Sequence, residues 1–304
     1  MSDGPTMGAI EAGGTKWVCA VGRANGKLLE EVVVETRHPE ETVPVVAKAF
    51  EDLQGRHGSI SAIGIGTFGP VKVDEKASDY GVIQKTPKEG WTGFDYRKAM
   101  VDVFGRKLPL LIDTDVNAAV LAESLEPANR SCRDLIYITV GTGIGGGMIS
   151  NGVLWHGRTH PEMGHLVVPE SALEPVPGFT SCPFHTFCIE GKASGTAMKE
   201  RWGTPAQDLT EDHPAWALES DYLASMVMTL TATFTPDRII FGGGVFLFQP
   251  LLEMVRTRFS QISGGYWDLP PMSEYIVGSS LSNRAGLKGA LLLAGRAWSE
   301  EDSH

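Results

Sequence analysis

The sequence predicts an α/β protein of two lobes, and three observations lead there. Short apolar runs alternate with helical patterns along the chain. The same glycine-turned hairpin opens each half, in "MGAIEAGGTKWVCAVG" and again in "LIYITVGTGIGGGMISNGVL". A length of 304 residues, 42% of them hydrophobic, suffices to bury two cores. The repeated opening points to a duplication and to a central cleft between the halves.

Element by element, the first hairpin is followed by a third strand in "KLLEEVVVET" and an amphipathic helix in "VPVVAKAFEDL". "AIGIGTFGPV" reads as a buried strand running into a Gly/Pro loop, "DYRKAMVDVF" as a helix, and "LPLLIDTD" as a second buried strand leading into the helix "VNAAVLAES". After the second hairpin come helices in "ASGTAMKERW" and "WALESDYLASMVMTLTATF", a strand in "DRIIFGG" and a last helix in "AGLKGALLLAGRAW".

Charge and cysteine content narrow the partners. A net charge of -11 without a long basic block argues against nucleic acid or an anionic membrane. No apolar run reaches the roughly 20 residues that cross a bilayer, and the start has no signal-peptide pattern. Four cysteines are too few for a disulfide scaffold, so the expectation is a cytoplasmic protein with reduced thiols.

Two glycine loops are candidates for holding phosphate. "EAGGTK" (Glu11 to Lys16) and "GTGIGGG" (Gly141 to Gly147) combine glycines, which let backbone N–H groups approach an anion, with a threonine hydroxyl. Neither matches G-x-x-x-x-G-K-[ST], and a Gly-Gly pair often only turns a hairpin. Two such loops opening two similar lobes favour a nucleotide, and "FGGGV" (Phe241 to Val245) adds a cluster where an adenosine would lie against backbone.

Taken in order, "EAGGTK", "GIGTFGPV", "DTDVNAA", "GTGIGGG", "HPEMGH", the Cys/His run and "IIFGGG" resemble the ROK family (repressors, open reading frames and kinases) from about Gly8 to Gly289. The resemblance implies the actin-like ATPase (ribonuclease H-like) fold. Residues 1–117 would form an N-terminal lobe completed by the C-terminal helix 285–304, and residues 118–284 a C-terminal lobe with a zinc-binding loop. It also implies an ATP-dependent sugar kinase. "EAGGTK", "HPEMGH" and "CPFHTFCIEG" are most similar to bacterial fructokinases, which implies transfer of the γ-phosphate of ATP to the 6-hydroxyl of D-fructose. Kinases for glucose, mannose, allose or N-acetylmannosamine share the scaffold and are alternatives. A sugar-responsive regulator is a further one, disfavoured by the acidic chain and the ten residues before Glu11.

On this resemblance, ATP and Mg2+ fall to Glu11, Gly13, Gly14, Thr15, Lys16, Gly141, Thr142, Gly143, Gly243 and Gly244. Asp113 and Asp115 end a buried strand, and ligands in α/β folds gather at such ends, though Asp before a helix is also a common N-cap. The family comparison makes Asp115 the base that takes the hydroxyl proton, Asn117 a sugar contact and Asp113 a supporting residue. Gly66 and Gly69 would line the sugar pocket. Four positions depart from the family pattern: Glu11 stands where Asp is usual, Phe68 where Pro, and Lys88 and Thr114 where Asn. Lys88 reads by default as a surface lysine.

"HPEMGH" and "SCPFHTFCIEG" together give H-x16-C-x2-H-x2-C from His165 to Cys188. Imidazole and thiolate ligands suit Zn2+, but the spacing is not that of a zinc finger, and two buried thiols beside a surface histidine would look the same. The resemblance implies a structural Zn2+ held by His165, Cys182, His185 and Cys188, with His185 in place of a cysteine. It also implies that Glu162, Glu190 and the second ring nitrogen of His165 meet sugar hydroxyls; solvated carboxylates, or for Glu190 a helix N-terminal charge, are the plainer readings. His156 and His160 read as loop residues, and a homodimer is a family-level expectation.

Overall fold

The computed structural model describes residues 4–86 and 88–301, which form two compact units. The first comprises the chain to Leu125, the segment Trp155–His160 and the chain from Arg284 onward; the second comprises Glu126–Leu154 and Pro161–Asn283. No described helix is long and apolar enough to cross a membrane.

In the first unit, β1 (Thr6–Ala12), β2 (Lys16–Gly22) and β3 (Leu28–Glu35) form an antiparallel meander, followed by α1 (Pro39–His57). β4 (Ile60–Thr67) joins β1 in parallel, α2 (Tyr96–Phe104) follows, and β5 (Leu110–Thr114) joins β4 in parallel before α3 (Asp115–Ser124). The strand order is β3-β2-β1-β4-β5. α1 starts at Pro39 rather than at Val43 as the pattern suggests, because proline suits a first turn that also carries Glu40 and Glu41. α2 is capped by Asp95, whose carboxylate accepts from Arg97 N and Lys98 N, and stops at Gly105 in the left-handed conformation.

The second unit repeats this plan. β6 (Leu135–Val140), β7 (Ile144–Ser150) and β8 (Val153–Leu154) are the antiparallel meander. α4 (Ile189–Ala193), α5 (Gly195–Trp202) and α6 (Ala215–Phe234) precede β9 (Arg238–Gly242), which is parallel to β6. α7 (Pro250–Ser263) and α8 (Met272–Tyr275) lead to β10 (Ile276–Gly278), parallel to β9, giving the order β10-β9-β6-β7-β8. The repeat therefore covers a whole five-stranded sheet, not only the hairpin legible in sequence. α7 and β10 escape the sequence reading. α7 carries Leu251, Val255 and Phe259 buried at helical spacing, whereas β10 is too short for a pattern.

The chain then returns to the first unit as α9 (Ala285–Glu301). α3 and α9 pack against each other, so α3 stays with the first unit through Leu125, and the boundary expected at 117 would have cut this helix. Trp155–His160, expected in the C-terminal lobe, also belongs to the first unit. Along β4, Ile63 and Ile65 enter an aromatic core that includes Trp17, Phe50 and Tyr96, while Gly64 and Gly66 lie on the opposite face. A Cβ on Gly64 would collide with Ala290 O, and one on Gly289 with Ala118 O.

Because backbone meets backbone at Gly64, we expect Gly64→Ala to destabilise the protein by about 3 kcal/mol. Gly55→Ala, at an exposed position of α1 with nothing within 4 Å, should instead stabilise it by up to about 1 kcal/mol. Urea unfolding of both variants measures this; equal midpoints would contradict the packing.

Candidate active site

Parallel register brings the first unit's acidic groups together. Glu11 on β1 pairs with Gly66 on β4, which pairs with Asp113 on β5, all at the carboxyl ends of these strands. Thr114 caps α3, its hydroxyl oxygen accepting from Asn117 N at 3.1 Å, so Asp115 occupies the first helical position rather than the cap. Asp115 Oδ1 accepts from Val116 N at 2.8 Å, and burial pushes its carboxyl up to about 6. Burial, then the charge of Asp115, pushes Glu11 up to about 7 against the opposing pull of Lys16 and of a hydrogen bond from Leu287 N at the start of α9. A Cβ on Gly286 would lie 2.6 Å from Glu11 Oε1, so the carboxylate rests directly on that helix end.

Asp113 organises the buried layer beneath. Its Oδ1 accepts from Thr114 N (2.7 Å) and Asn117 Nδ2 (2.8 Å), and its Oδ2 meets His156 Nε2 at 2.7 Å. The hydrogen bond to Asp113 raises the pKa of His156. His160 Nε2 accepts from Val71 N at 3.1 Å, so both histidines read as loop residues are anchors that tie Trp155–His160 to the first unit. The sequence carries no spacing signal for either. Two expected sugar-side residues lie in or beside this buried layer. Asn117 is fully buried with its amide on Asp113, and Gly66 is buried where a Cβ would meet Ala118 Cβ at 3.0 Å. Gly69 lies half-buried in the loop after β4.

The first glycine loop closes through Gly13 N to Lys16 O at 2.9 Å, and Thr36 Oγ1 donates to Gly13 O at 2.8 Å. Gly14, Thr15 and Lys16 are left exposed. In the second unit, Gly141 N donates to Gly143 O at 2.9 Å, while Gly195 N donates to Gly141 O (2.7 Å) and Thr196 Oγ1 to Thr142 O (2.7 Å). Gly243, at φ 92°, fits only because it has no Cβ, which would strike Val140 O. Gly141 to Gly143, the start of α5 and Gly243 thus gather around the end of β6, with Thr142 and Gly244 exposed. Glu190 is part of this assembly: its Oε2 accepts from Ile144 N at 2.9 Å and would lie 2.6 Å from a Cβ on Gly143.

The four expected metal ligands converge. Residues 166–168 run beside 187–189 through Val168 N to Phe187 O and Ile189 N to Leu166 O, both 2.9 Å, bringing His165 toward Cys188. Ser181 N to Gly191 O (3.0 Å) brings in Cys182. Ligand atoms of His165, Cys182, His185 and Cys188 all lie within 4.8 Å of one another. Cys182 Sγ is 3.7 Å from His185 Nδ1, close to the edge of about 3.6 Å that a zinc tetrahedron requires. His165 Nδ1 is buried with no hydrogen-bond partner, as a ligand nitrogen awaiting a cation would be. These donors fit Zn2+. Glu162, just before His165, is exposed.

A buried ionic cluster that the sequence gives no sign of holds the same loop. Lys192, fully buried, reaches Glu170 at 3.2 Å. The side chains of Arg201 and Glu174, each 1% exposed, pair at 2.9 Å, and Arg201 Nη2 donates to Lys192 O at 2.7 Å. Tyr222 OH donates to Glu174 Oε2 at 2.8 Å, and burial raises the carboxyl of nearby Glu219 well above its usual range.

The ROK family profile matches residues 7–297. This chain belongs to the ROK family. It is 40% identical over 95% of its length to a fructokinase of Pediococcus pentosaceus, covering 97% of that protein. It is 37% identical over 96% of its length to a fructokinase of Zymomonas mobilis, again covering 97%. Among solved structures it resembles a ROK family glucokinase from Streptomyces griseus, in complex with glucose and AMPPNP, at a TM-score of 0.76 and 26% identity, covering 96% of this chain and 99% of that one. The fold is that of the actin-like ATPases, as expected from the motifs.

For this ROK chain, Arg201→Met should destabilise the fold by about 3–5 kcal/mol, because Glu174 would be left buried without its partner. Adding Glu174→Gln should recover part of that loss. Chemical denaturation checks both; a single variant as stable as the parent would contradict the role of the pair.

Proposed function

We propose that this protein is an ATP-dependent fructokinase that transfers the γ-phosphate of ATP to the 6-hydroxyl of D-fructose. The observation that carries the reading is a near full-length likeness to fructokinases joined to a desolvated carboxylate, Asp115, at the carboxyl end of the parallel strands. In the reaction, the 6-oxygen bonds to the γ-phosphorus as the bond to the bridging oxygen breaks and its electron pair leaves with ADP. The hydroxyl proton passes to Asp115, whose pKa near 6 makes it an unprotonated base at neutral pH. Exposed Gly14, Thr15 and Lys16, with Gly13 closing their turn, would hold phosphates, as would Gly141, Thr142 and Gly143; Gly243 and Gly244 would meet the adenosine. Bound Mg2+ would offset phosphate charge, with Glu11 as its carboxylate.

Glu162 and His165 would bind sugar hydroxyls, and Glu190 would offer Oε1 while its Oε2 holds the Ile144 amide. Zn2+ held by His165, Cys182, His185 and Cys188 would be structural, fixing the loop that carries these groups.

A coupled ADP-release assay over a hexose panel tests the substrate: kcat/KM should be highest for fructose, and an equal or higher value for glucose would sink that assignment. In the same assay kcat/KM should rise through about pH 6 to 7 and level off above that, as Asp115 and then Glu11 lose their protons. Asp115→Asn should lower kcat by about 10³-fold and remove the Asp115 step from that acid limb, leaving the Glu11 step. A variant as active as the parent would refute the base.

Metal analysis should find zinc equimolar with the chain. Chelation, or Cys182→Ala with His185→Ala, should lower the melting temperature and weaken sugar binding together. Purified protein with no zinc would refute the cluster.

A further inference from the structure

Lys88 is not the free surface lysine its sequence context suggests. Lys88 N donates to Thr86 Oγ1 at 3.4 Å, and Lys88 O accepts from Trp91 N at 3.3 Å. Trp91 is fully buried, 5.4 Å from Trp17 between ring centroids, and its indole N–H donates to Arg37 O at 2.9 Å. The loop that presents Lys88 is therefore fixed at its root. The side chain is half-buried, with Nζ 5.9 Å from the centroid of the Phe68 ring and 3.8 Å from where a Cβ on Gly14 would stand. Phe68 in turn meets Trp91 edge-on at 5.7 Å.

Two of the positions at which this chain departs from the family pattern, Phe68 and Lys88, thus form a single contact beside the first glycine loop. The aromatic face attracts the ammonium and limits where it goes. Desolvation holds the Lys88 pKa below the usual lysine range. Among the described residues no carboxylate pairs with it, and the cation acting on Glu11 is Lys16. A partly desolvated ammonium next to an exposed turn suited to anions is placed to meet a negatively charged group there.

We infer that Lys88 binds the γ-phosphoryl group of the nucleotide from beside Gly14 and stays on it during transfer. This role rests on the kinase reading. The ammonium remains protonated throughout; it exchanges no proton with the substrate and acts by offsetting charge on the phosphoryl oxygens as the bond to ADP loosens. Lysine suits the task as a compact charge on a flexible stem that follows a moving group.

Lys88→Met keeps the length and removes the charge, and Lys88→Arg restores the charge. Calorimetry with AMP-PNP and with ADP, both in Mg2+, is combined with steady-state rates on whichever hexose the parent turns over best. For Lys88→Met we expect unchanged ADP affinity, AMP-PNP affinity about tenfold weaker, and kcat about 10²-fold lower with the hexose KM within about twofold. Lys88→Arg should recover part of kcat, and both variants should melt with the parent. Parent-like AMP-PNP affinity and kcat in Lys88→Met would overturn the assignment, as would a raised hexose KM at unchanged kcat, the mark of a sugar contact. The kinase reading fails by a separate sign, a parent that releases no ADP with any hexose, and the comparison of AMP-PNP with ADP still judges Lys88 in that event.

Discussion

α9 touches β4 and α3 with backbone against backbone, and the setting of the first unit's carboxylates follows from that contact. With no side chain at Gly64 or Gly289, the helix sits close enough for Leu287 N to reach the Glu11 carboxylate. A helix N-terminus and Lys16 favour the charged form of Glu11, yet its pKa rises to about 7, so desolvation and the neighbouring Asp115 charge outweigh both. A helix displaced by the thickness of a methyl group would let water in between, and both acids would return toward ordinary values. Tight packing thus becomes a chemical property, a carboxylate at Asp115 with a pKa near 6.

In the second unit the comparable constraint is on Ile144. Glu190 holds its amide, and Gly164 lies so near its carbonyl that no Cβ would fit. Gly164 belongs to the turn that ends in His165, and Glu190 follows Cys188 by two positions. The Cys/His cluster and the glycine hairpin are therefore joined through one residue of β7. The buried Arg201–Glu174 pair and Lys192 restrain the same loop, with Arg201 donating to Lys192 O of α4.

Much of this was legible in the residues. "AIGIGTFGPV" announced a buried strand, and the paired hairpins announced two similar lobes. The four metal-ligand candidates converge as the family likeness implies. Less legible were residues whose roles depend on partners distant in sequence. Nothing near His156 points to Asp113, 43 positions away, and nothing near Arg201 points to Glu174, 27 positions away. Asn117 is a motif residue whose Nδ2 bond to Asp113 inside the fold the sequence does not announce.

By itself the sequence determined the fold class, the family, the glycine turns and the chemical types available at the site, because periodicity, backbone freedom and ligand chemistry are local properties. Only the tertiary structure decided which carboxylate is desolvated, that Thr114 rather than Asp115 caps α3, and that Lys88 stands over Phe68 beside Gly14. The cap is settled by the local backbone at Thr114, and the other outcomes depend on distances between segments far apart in the chain. Burial and electrostatic coupling act through space, and their strength is set by the packing that closes those distances.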